Sequence, residues 1–134
     1  MQFPYVPMPA GAMGHVNMPF LLVRLSSNSL HVDELALVDS GSAVSVLPYD
    51  VGIRLGLDWN APMPSIPLGG NLGRHVAKGL SLQVKVGAYP PVQIVFAWSQ
   101  APDARLILGE VNFFSEFDVC FHRSRHYFEV KPKP

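Results

Sequence analysis

The residues best suited to chemistry are Asp39, Ser40 and Gly41, which lie together between two strongly apolar segments. A carboxylate taken out of water is costly unless hydrogen-bond donors surround it. Gly41 allows the backbone to turn sharply and to present amide groups to the Asp39 carboxylate. A carboxyl group in such surroundings is a candidate general acid or base. The alternative is a simple β-turn, in which Asp, Ser and Gly are all favoured.

Three side chains of the kinds that ligate metal ions lie close together in the sequence, namely Cys120, His122 and His126. A metal site would need a third or fourth ligand in a rigid frame. Arg123 and Arg125 lie beside them and would repel a cation. An edge strand or loop is therefore the favoured interpretation of this segment.

Three further sequence features are poor candidates for a catalytic or ligand-binding site. Ser42 and Ser45 do not lie in a Gly-x-Ser-x-Gly elbow, which disfavours a serine hydrolase. The glycine-rich segment 69–73 is not followed by Lys-Ser/Thr, so a hairpin is favoured over a phosphate-binding loop. Trp59 and Trp98 are expected to anchor the core or an interface rather than to bind a ligand.

The composition sets outer limits on function. The chain has 134 residues and a formal net charge of zero, which indicates one domain and argues against a nucleic-acid partner. No apolar run approaches the roughly 18 residues of a membrane span, so no membrane partner is expected. The start at Met1 lacks the pattern of a signal peptide, and Cys120 is the sole cysteine, which together indicate a cytoplasmic protein. Charged residues make up only 15% of the chain, which predicts that a partner covers part of its surface.

The elements that must position Asp39 follow from hydrophobic periodicity. Residues 1–19 read as an extended, proline-rich N-terminal arm, and 20–134 as a single domain. Residues 35–38 are apolar on both faces, which predicts a buried strand end. We expect helices over 49–57, capped by Gly56, and over about eight residues around Phe113, Phe114 and Phe117. Alternation and turn residues predict strands over 20–25, 31–38, 43–47, 80–86, 92–98, 119–121 and 127–130, and hence an all-β domain.

The segment 37–48, LVDSGSAVSVLP, resembles the active-site segment of retropepsin-like aspartic proteases, in which an apolar pair precedes Asp-(Thr/Ser)-Gly and an apolar strand follows. The segment 106–109, Leu-Ile-Leu-Gly, lies about 70 residues further on and is similar to the family's second signature, which packs beside the catalytic loop. The hairpin at 66–79 lies where the family carries its substrate-covering flap. The resemblance covers about residues 16–130 and implies a closed acid-protease barrel with a flap hairpin and one or two short helices. The chain also resembles a bacterial-type single-domain branch, with Phe3-Pro4-Tyr5 at the start and an apolar strand after the terminal helix.

The resemblance also implies an activity, that of an aspartic endopeptidase acting on a peptide or protein substrate without a cofactor or metal. The chemistry needs two carboxylates within about 3 Å that share one proton. The chain has one Asp-Ser-Gly, so the second carboxylate must be Asp39 of another copy, across a two-fold axis. Family analogy places Ser40 in a hydrogen bond across that axis at Asp39–Ser40–Gly41.

The substrate would lie between apolar walls and the flap. Gly69, Gly70 and Gly73 offer two possible flap tips. The expected substrate-binding residues are Val44, Val46, Leu68, Gly69, Gly70, Leu72 and Ile107.

Two positions depart from the family pattern. Ala43 stands where an acidic residue is frequent, and Glu110 stands where Arg is frequent. Both members of an ion pair are thus missing together, which predicts a dimer that is weaker or held differently. These departures leave an alternative open, namely a catalytically silent retropepsin-like module for dimerisation or peptide binding.

Overall fold

A computed structural model describes residues 1–69 and 74–134. Strands account for 52% of the residues and helices for 13%, which confirms the all-β class. Among the described residues, the α-helices are α1 (Tyr49–Arg54) and α2 (Phe113–Glu116), and short 3-10 helices lie at Gly11–Met13 and Arg123–Arg125. The described strands are β1 (Gln2–Pro4), β2 (Val6–Pro9), β3 (His15–Met18), β4 (Phe20–Ser27), β5 (Leu30–Val38), β6 (Ser45–Pro48), β7 (Ala77–Val86), β8 (Val92–Ser99), β9 (Ile107–Leu108), β10 (Phe117–His122) and β11 (Tyr127–Pro132).

Six of these strands close a barrel in the order β4-β5-β9-β6-β8-β7. The hairpins β4–β5 and β7–β8 are antiparallel, whereas β5–β9 and β6–β8 are parallel. The alternation seen in the sequence of β7 matches this wall, because Leu82, Val84 and Val86 are buried while Ser81 and Gln83 are exposed. One face of β7 therefore points into the barrel, whereas Ser45, Val46 and Leu47 of β6 are all buried.

The expectation that residues 35–38 are buried on both faces is wrong for Leu35. Ala36 and Val38 face the core and are buried, but Leu35 is 46% exposed. Leu35 pairs across the ladder with Leu22, which is 58% exposed. Successive strand residues point to opposite faces, so these two leucines lie on the outside of the barrel wall.

Helix α1 lies where the sequence predicts it, and Gly56 follows it with a φ of +76°, as expected for a C-terminal cap. Helix α2 is shorter than the predicted eight residues, because Phe117 is already extended and begins β10. The Phe117 ring still stacks on the ring of Phe113, with centroids 5.0 Å apart. The four-residue spacing of these two phenylalanines, which predicted a longer helix, therefore comes from packing between α2 and the start of β10. None of the described helices has the length and apolar character needed to cross a membrane.

The first and last segments of the chain form a separate sheet in the order β1-β11-β10. Strand β1 pairs with β11, and the Phe3 ring stacks on the buried Phe128 ring at a centroid distance of 5.7 Å. Tyr5 meets the same ring edge-on. Strands β2 and β3 form a hairpin. The N-terminal segment is thus extended and packs directly on the rest of the chain.

Candidate functional site

The loop that carries Asp39 is positioned by three neighbouring strands. Strand β5 ends at Val38 and β6 begins at Ser45, so residues 39–44 connect them. Strand β9 lies between these two strands, parallel to β5 and antiparallel to β6. The Asp39 N–H donates to the Leu108 carbonyl at 3.0 Å. The second apolar segment therefore lies against the loop, as the sequence led us to expect.

Gly109 makes this close approach possible. A Cβ atom at this position would lie 2.4 Å from the Val44 carbonyl oxygen and 2.7 Å from that of Ser42. Just beyond it, the Glu110 N–H donates to the Ser42 carbonyl at 2.8 Å, and the Val111 N–H donates to the Ala43 carbonyl at 2.9 Å. Any side chain at Gly109 would push these two backbone segments apart.

The carboxylate of Asp39 is oriented by its own loop. The Gly41 N–H donates to Oδ1 of Asp39 at 2.9 Å, which confirms the amide donor expected from the sequence. Asp39 is half-buried, while Ser40 and Gly41 are exposed. Within residues 1–69 and 74–134, Oδ2 of Asp39 has no hydrogen-bond partner. One carboxylate oxygen is held and the other remains available for chemistry.

Ser45 connects the Asp39 loop to the segment around Gly109 by hydrogen bonds, a role that the sequence reasoning missed. Its side chain is fully buried, and its Oγ accepts a hydrogen bond from the Gly109 N–H at 3.0 Å. Its backbone N–H donates to the Val111 carbonyl at 3.2 Å. The available signal was a single polar residue inside the apolar run 43–47. The Ser42 hydroxyl is also engaged, donating to the Val44 carbonyl at 2.7 Å.

Asn112 is a second residue that sequence reasoning missed. Its side-chain oxygen accepts from the Val95 N–H at 2.8 Å, and its amide nitrogen donates to the Gln93 carbonyl at 2.9 Å. The segment that follows Gly109 is therefore tied to β8. No pattern in the neighbouring sequence distinguishes this asparagine from an ordinary turn residue.

Three of the expected substrate-binding residues lie on or beside the Asp39 loop, and they differ in burial. Val44 is the last residue of the loop and Ile107 lies in β9, and both are half-buried. Val46 is only 2% exposed, so its side chain offers no surface to a peptide in this chain.

The expected flap is described in part. Its base is present, because the Ile66 N–H donates to the Ala77 carbonyl at 2.9 Å and the Gly79 N–H donates to the Pro64 carbonyl at 2.8 Å. Leu68 is half-buried and Gly69 is exposed. The remaining expected flap residues lie outside the described residues; they are Gly70, Leu72 and Gly73.

The other chemical groupings do not form a site. No group of three or more His, Cys, Asp or Glu side chains in the described part of the chain could hold a metal ion. Trp98 is fully buried, with the Trp59 ring edge-on at a centroid distance of 4.8 Å, so the tryptophans anchor the core as expected.

Asp39 takes part in none of the ion pairs that the described residues form. The pair of Arg24 and Asp33 lies on the β4–β5 ladder instead, where the hydrogen bond from Arg24 lowers the pKa of Asp33.

No protein-family model matches the sequence, and no curated protein matches it significantly. The function must therefore be argued from the residues and geometry of the chain.

Proposed function

We propose that the protein is an aspartic endopeptidase that acts as a homodimer and hydrolyses peptide bonds with a water molecule activated between two Asp39 carboxylates, one from each subunit. The observation that supports this most is the Asp39 loop itself. Its carboxylate is oriented by the Gly41 N–H at 2.9 Å, and its backbone is braced by β9. A carboxylate held in one orientation is suited to act as a fixed acid–base group.

One chain supplies half of such a site. The sequence contains a single Asp-Ser-Gly, and Ser40, Gly41 and Ala43 are exposed around the half-buried Asp39. Val111, which pairs with Val44 beside the loop, is 55% exposed. A second copy placed on this face would cover the loop and bring a second Asp39 to the first across a two-fold axis.

The two carboxylates would share one proton, because like charges about 3 Å apart cannot both ionise. The charged carboxylate takes a proton from water as the water oxygen attacks the scissile carbonyl carbon. The protonated carboxylic acid donates its proton to the carbonyl oxygen, which avoids a free oxyanion. The carboxylic acid formed in the first step then donates its proton to the amide nitrogen, and the C–N bond breaks to release the amine. A hydroxyl of the tetrahedral intermediate returns its proton to the other carboxylate, which restores the singly protonated pair. The Gly41 N–H holds Oδ1 of Asp39 while Oδ2 faces the reaction.

The substrate would be an extended peptide that pairs with the main chain as an added strand. Val44 and Ile107, both half-buried, are suited to line apolar subsites next to the loop. Leu68 would cover the peptide from the hairpin whose base joins Pro64 to Gly79. Val46 is left out of this binding surface because it is buried.

The test is Asp39→Asn, assayed with a mixed peptide library between about pH 4 and 7. The amide accepts the same Gly41 hydrogen bond but cannot exchange a proton, so activity should fall by about 10²- to 10⁴-fold with the fold intact. Asp103→Asn, which makes the same change at an exposed carboxylate in the loop between β8 and β9, is the matched control and should retain activity. Cleavage that survives Asp39→Asn would contradict the proposal. A wild-type protein that binds peptides without cleaving them would favour the silent module.

A further inference from the structure

A groove of about 390 Å³ lies between the β2–β3 hairpin and the barrel, and it is lined by Met8, Pro9, Phe20 and Arg105. Met8 and Pro9 belong to β2, Phe20 begins β4, and Arg105 lies just before β9. Met8 and Phe20 are half-buried, so the inside of the groove is apolar. Arg105 is exposed, and among the described residues that line the groove it alone carries a charge. The groove therefore joins an apolar surface to a cation.

The Arg105 guanidinium is not engaged by a carboxylate of its own chain. It takes part in none of the ion pairs formed within residues 1–69 and 74–134. Its Nη1 donates instead to Sδ of Met8 at 3.0 Å, and a thioether sulfur is a weak acceptor. A guanidinium carries five N–H donors in a planar fork that fits a carboxylate. Most of the donors of Arg105 are therefore available to a carboxylate from another molecule.

A row of half-buried apolar side chains connects this groove to the Asp39 loop. Phe20 pairs with Leu37 on β5, and Leu37 pairs with Ile107 on β9. The residue that follows each of these three is buried inside the barrel, so the row itself lies on the outer face of the wall. Asp39 follows Leu37 by two residues. A peptide held at Asp39 can thus continue over the row toward the groove.

The spacing along the strands sets the reach from Asp39 to Arg105. Asp39 lies two residues after Leu37, and Arg105 lies two residues before Ile107, which is the parallel partner of Leu37. Four residues of extended chain span about 13 Å, at about 3.3 Å per residue. An extended peptide whose scissile bond lies at Asp39 therefore reaches Arg105 with a residue about three or four positions away.

We infer that Arg105 is a specificity-determining residue that selects peptides with an acidic side chain about three or four residues from the scissile bond. The inference rests on the proposed function, since it names the substrate class of the Asp39 site. The carboxylate replaces the Met8 sulfur as the partner of Arg105 and forms charge-assisted hydrogen bonds. Neighbouring residues of the peptide cover Phe20 and Leu37. A second copy carries the same groove, so two-fold symmetry favours an acidic residue on both sides of the bond.

The test uses pairs of peptides from the mixed library that are identical except for Glu or Gln at one position, at about pH 6, where glutamate is charged. The position is moved from the second to the fifth residue from the scissile bond. We expect kcat/KM to be about three- to tenfold higher for Glu at the third or fourth residue, as for a partly exposed charged hydrogen bond. Arg105→Gln should remove this difference. Arg123→Gln, the same change at an exposed arginine between β10 and β11, should keep it.

Binding gives a readout that does not depend on catalysis. The Asp39→Asn protein is mixed with fluorescent forms of the same peptides, and fluorescence anisotropy measures Kd. The Glu peptide should bind about three- to tenfold more tightly than the Gln peptide, and added salt should shrink the difference because it screens exposed charges. Arg105→Glu should reverse the preference and favour Lys at the same position, since it replaces an attraction by a repulsion.

The outcomes separate this inference from the proposed function. Cleavage with equal kcat/KM for Glu and Gln at every position, unchanged by Arg105→Gln, overturns the inference and leaves the enzyme standing. An Arg105-dependent preference for Glu in binding, without cleavage by the wild-type protein, supports recognition by Arg105 and counts against the enzyme. A preference for aromatic side chains over Glu at this position overturns the acidic assignment. Peptides that neither bind nor react overturn both proposals.

Discussion

At the scale of single residues, the site depends on how closely two backbone segments approach. The sequence predicted that the Gly41 amide faces the Asp39 carboxylate, because Asp, Ser and Gly in this order favour a turn. It predicted the segment ending in Gly109 through resemblance alone. The structure supplies the reason for the glycine, which is contact with the Val44 and Ser42 carbonyls. The buried hydroxyl of Ser45 could not be assigned in advance, since its partners are distant in the chain.

Gly109→Ala should therefore destabilise the protein and reduce any peptidase activity. The added methyl group meets backbone oxygen at 2.4 Å rather than the end of a flexible side chain. We expect a loss of about 2–3 kcal/mol in the free energy of unfolding, as for other overpacked sites. Urea denaturation followed by tryptophan fluorescence measures it. Gly69→Ala is the control, because no atom of residues 1–69 or 74–134 lies within 4 Å of its Cβ position. Equal midpoints for the two variants would disprove the role of Gly109.

At the scale of elements, helix α1 is positioned by close contact with Trp98 of β8. Trp98 is fully buried, and its indole N–H donates to the Tyr49 carbonyl at 3.2 Å. The Tyr49 ring stacks on it with centroids 5.6 Å apart. The sequence predicted this helix and regarded Gly52 as a weakness. The structure shows that Gly52 lies against the indole ring, so its lack of a side chain is required by packing.

Gly52→Ala raises the helix propensity of α1 but introduces a steric clash with Trp98. Alanine favours a helix by about 1 kcal/mol over glycine. Its Cβ, however, would lie 2.3 Å from the buried Trp98 ring. We expect packing to decide the sign, with a net loss of about 2 kcal/mol in stability. Thermal unfolding measures the change, and Ile53→Ala, at a 46% exposed position on the same helix, should have a smaller effect. A rise in Tm for Gly52→Ala would show that the helix shifts to make room.

At the scale of the whole molecule, the two ends of the chain build one sheet in the order β1-β11-β10. Phe3 and Phe121 lie on either side of Phe128, so β1 supports the packing of the whole terminal sheet. The low charge content, which predicted a covered surface, is compatible with a second copy that covers the Asp39 loop.

Phe3→Ala should lower the stability of the protein. It removes the ring that stacks on Phe128 at 5.7 Å and opens the buried end of the sheet. We expect a loss of about 2 kcal/mol in unfolding free energy, less than for a fully buried phenylalanine because Phe3 is half-buried. Chemical denaturation measures this loss. Gln2→Ala, an exposed neighbour on β1, should leave the unfolding free energy unchanged.

The sequence by itself determined the all-β class, most strand positions and the Gly41 hydrogen bond to Asp39, because alternation, turn residues and glycine act over a few neighbouring positions. Only the tertiary structure decided that β9 lies between β5 and β6, that Leu35 faces outward, and that Phe117 starts a strand rather than extending a helix. These features depend on pairing and packing between segments far apart in the chain, which no local pattern of residues specifies.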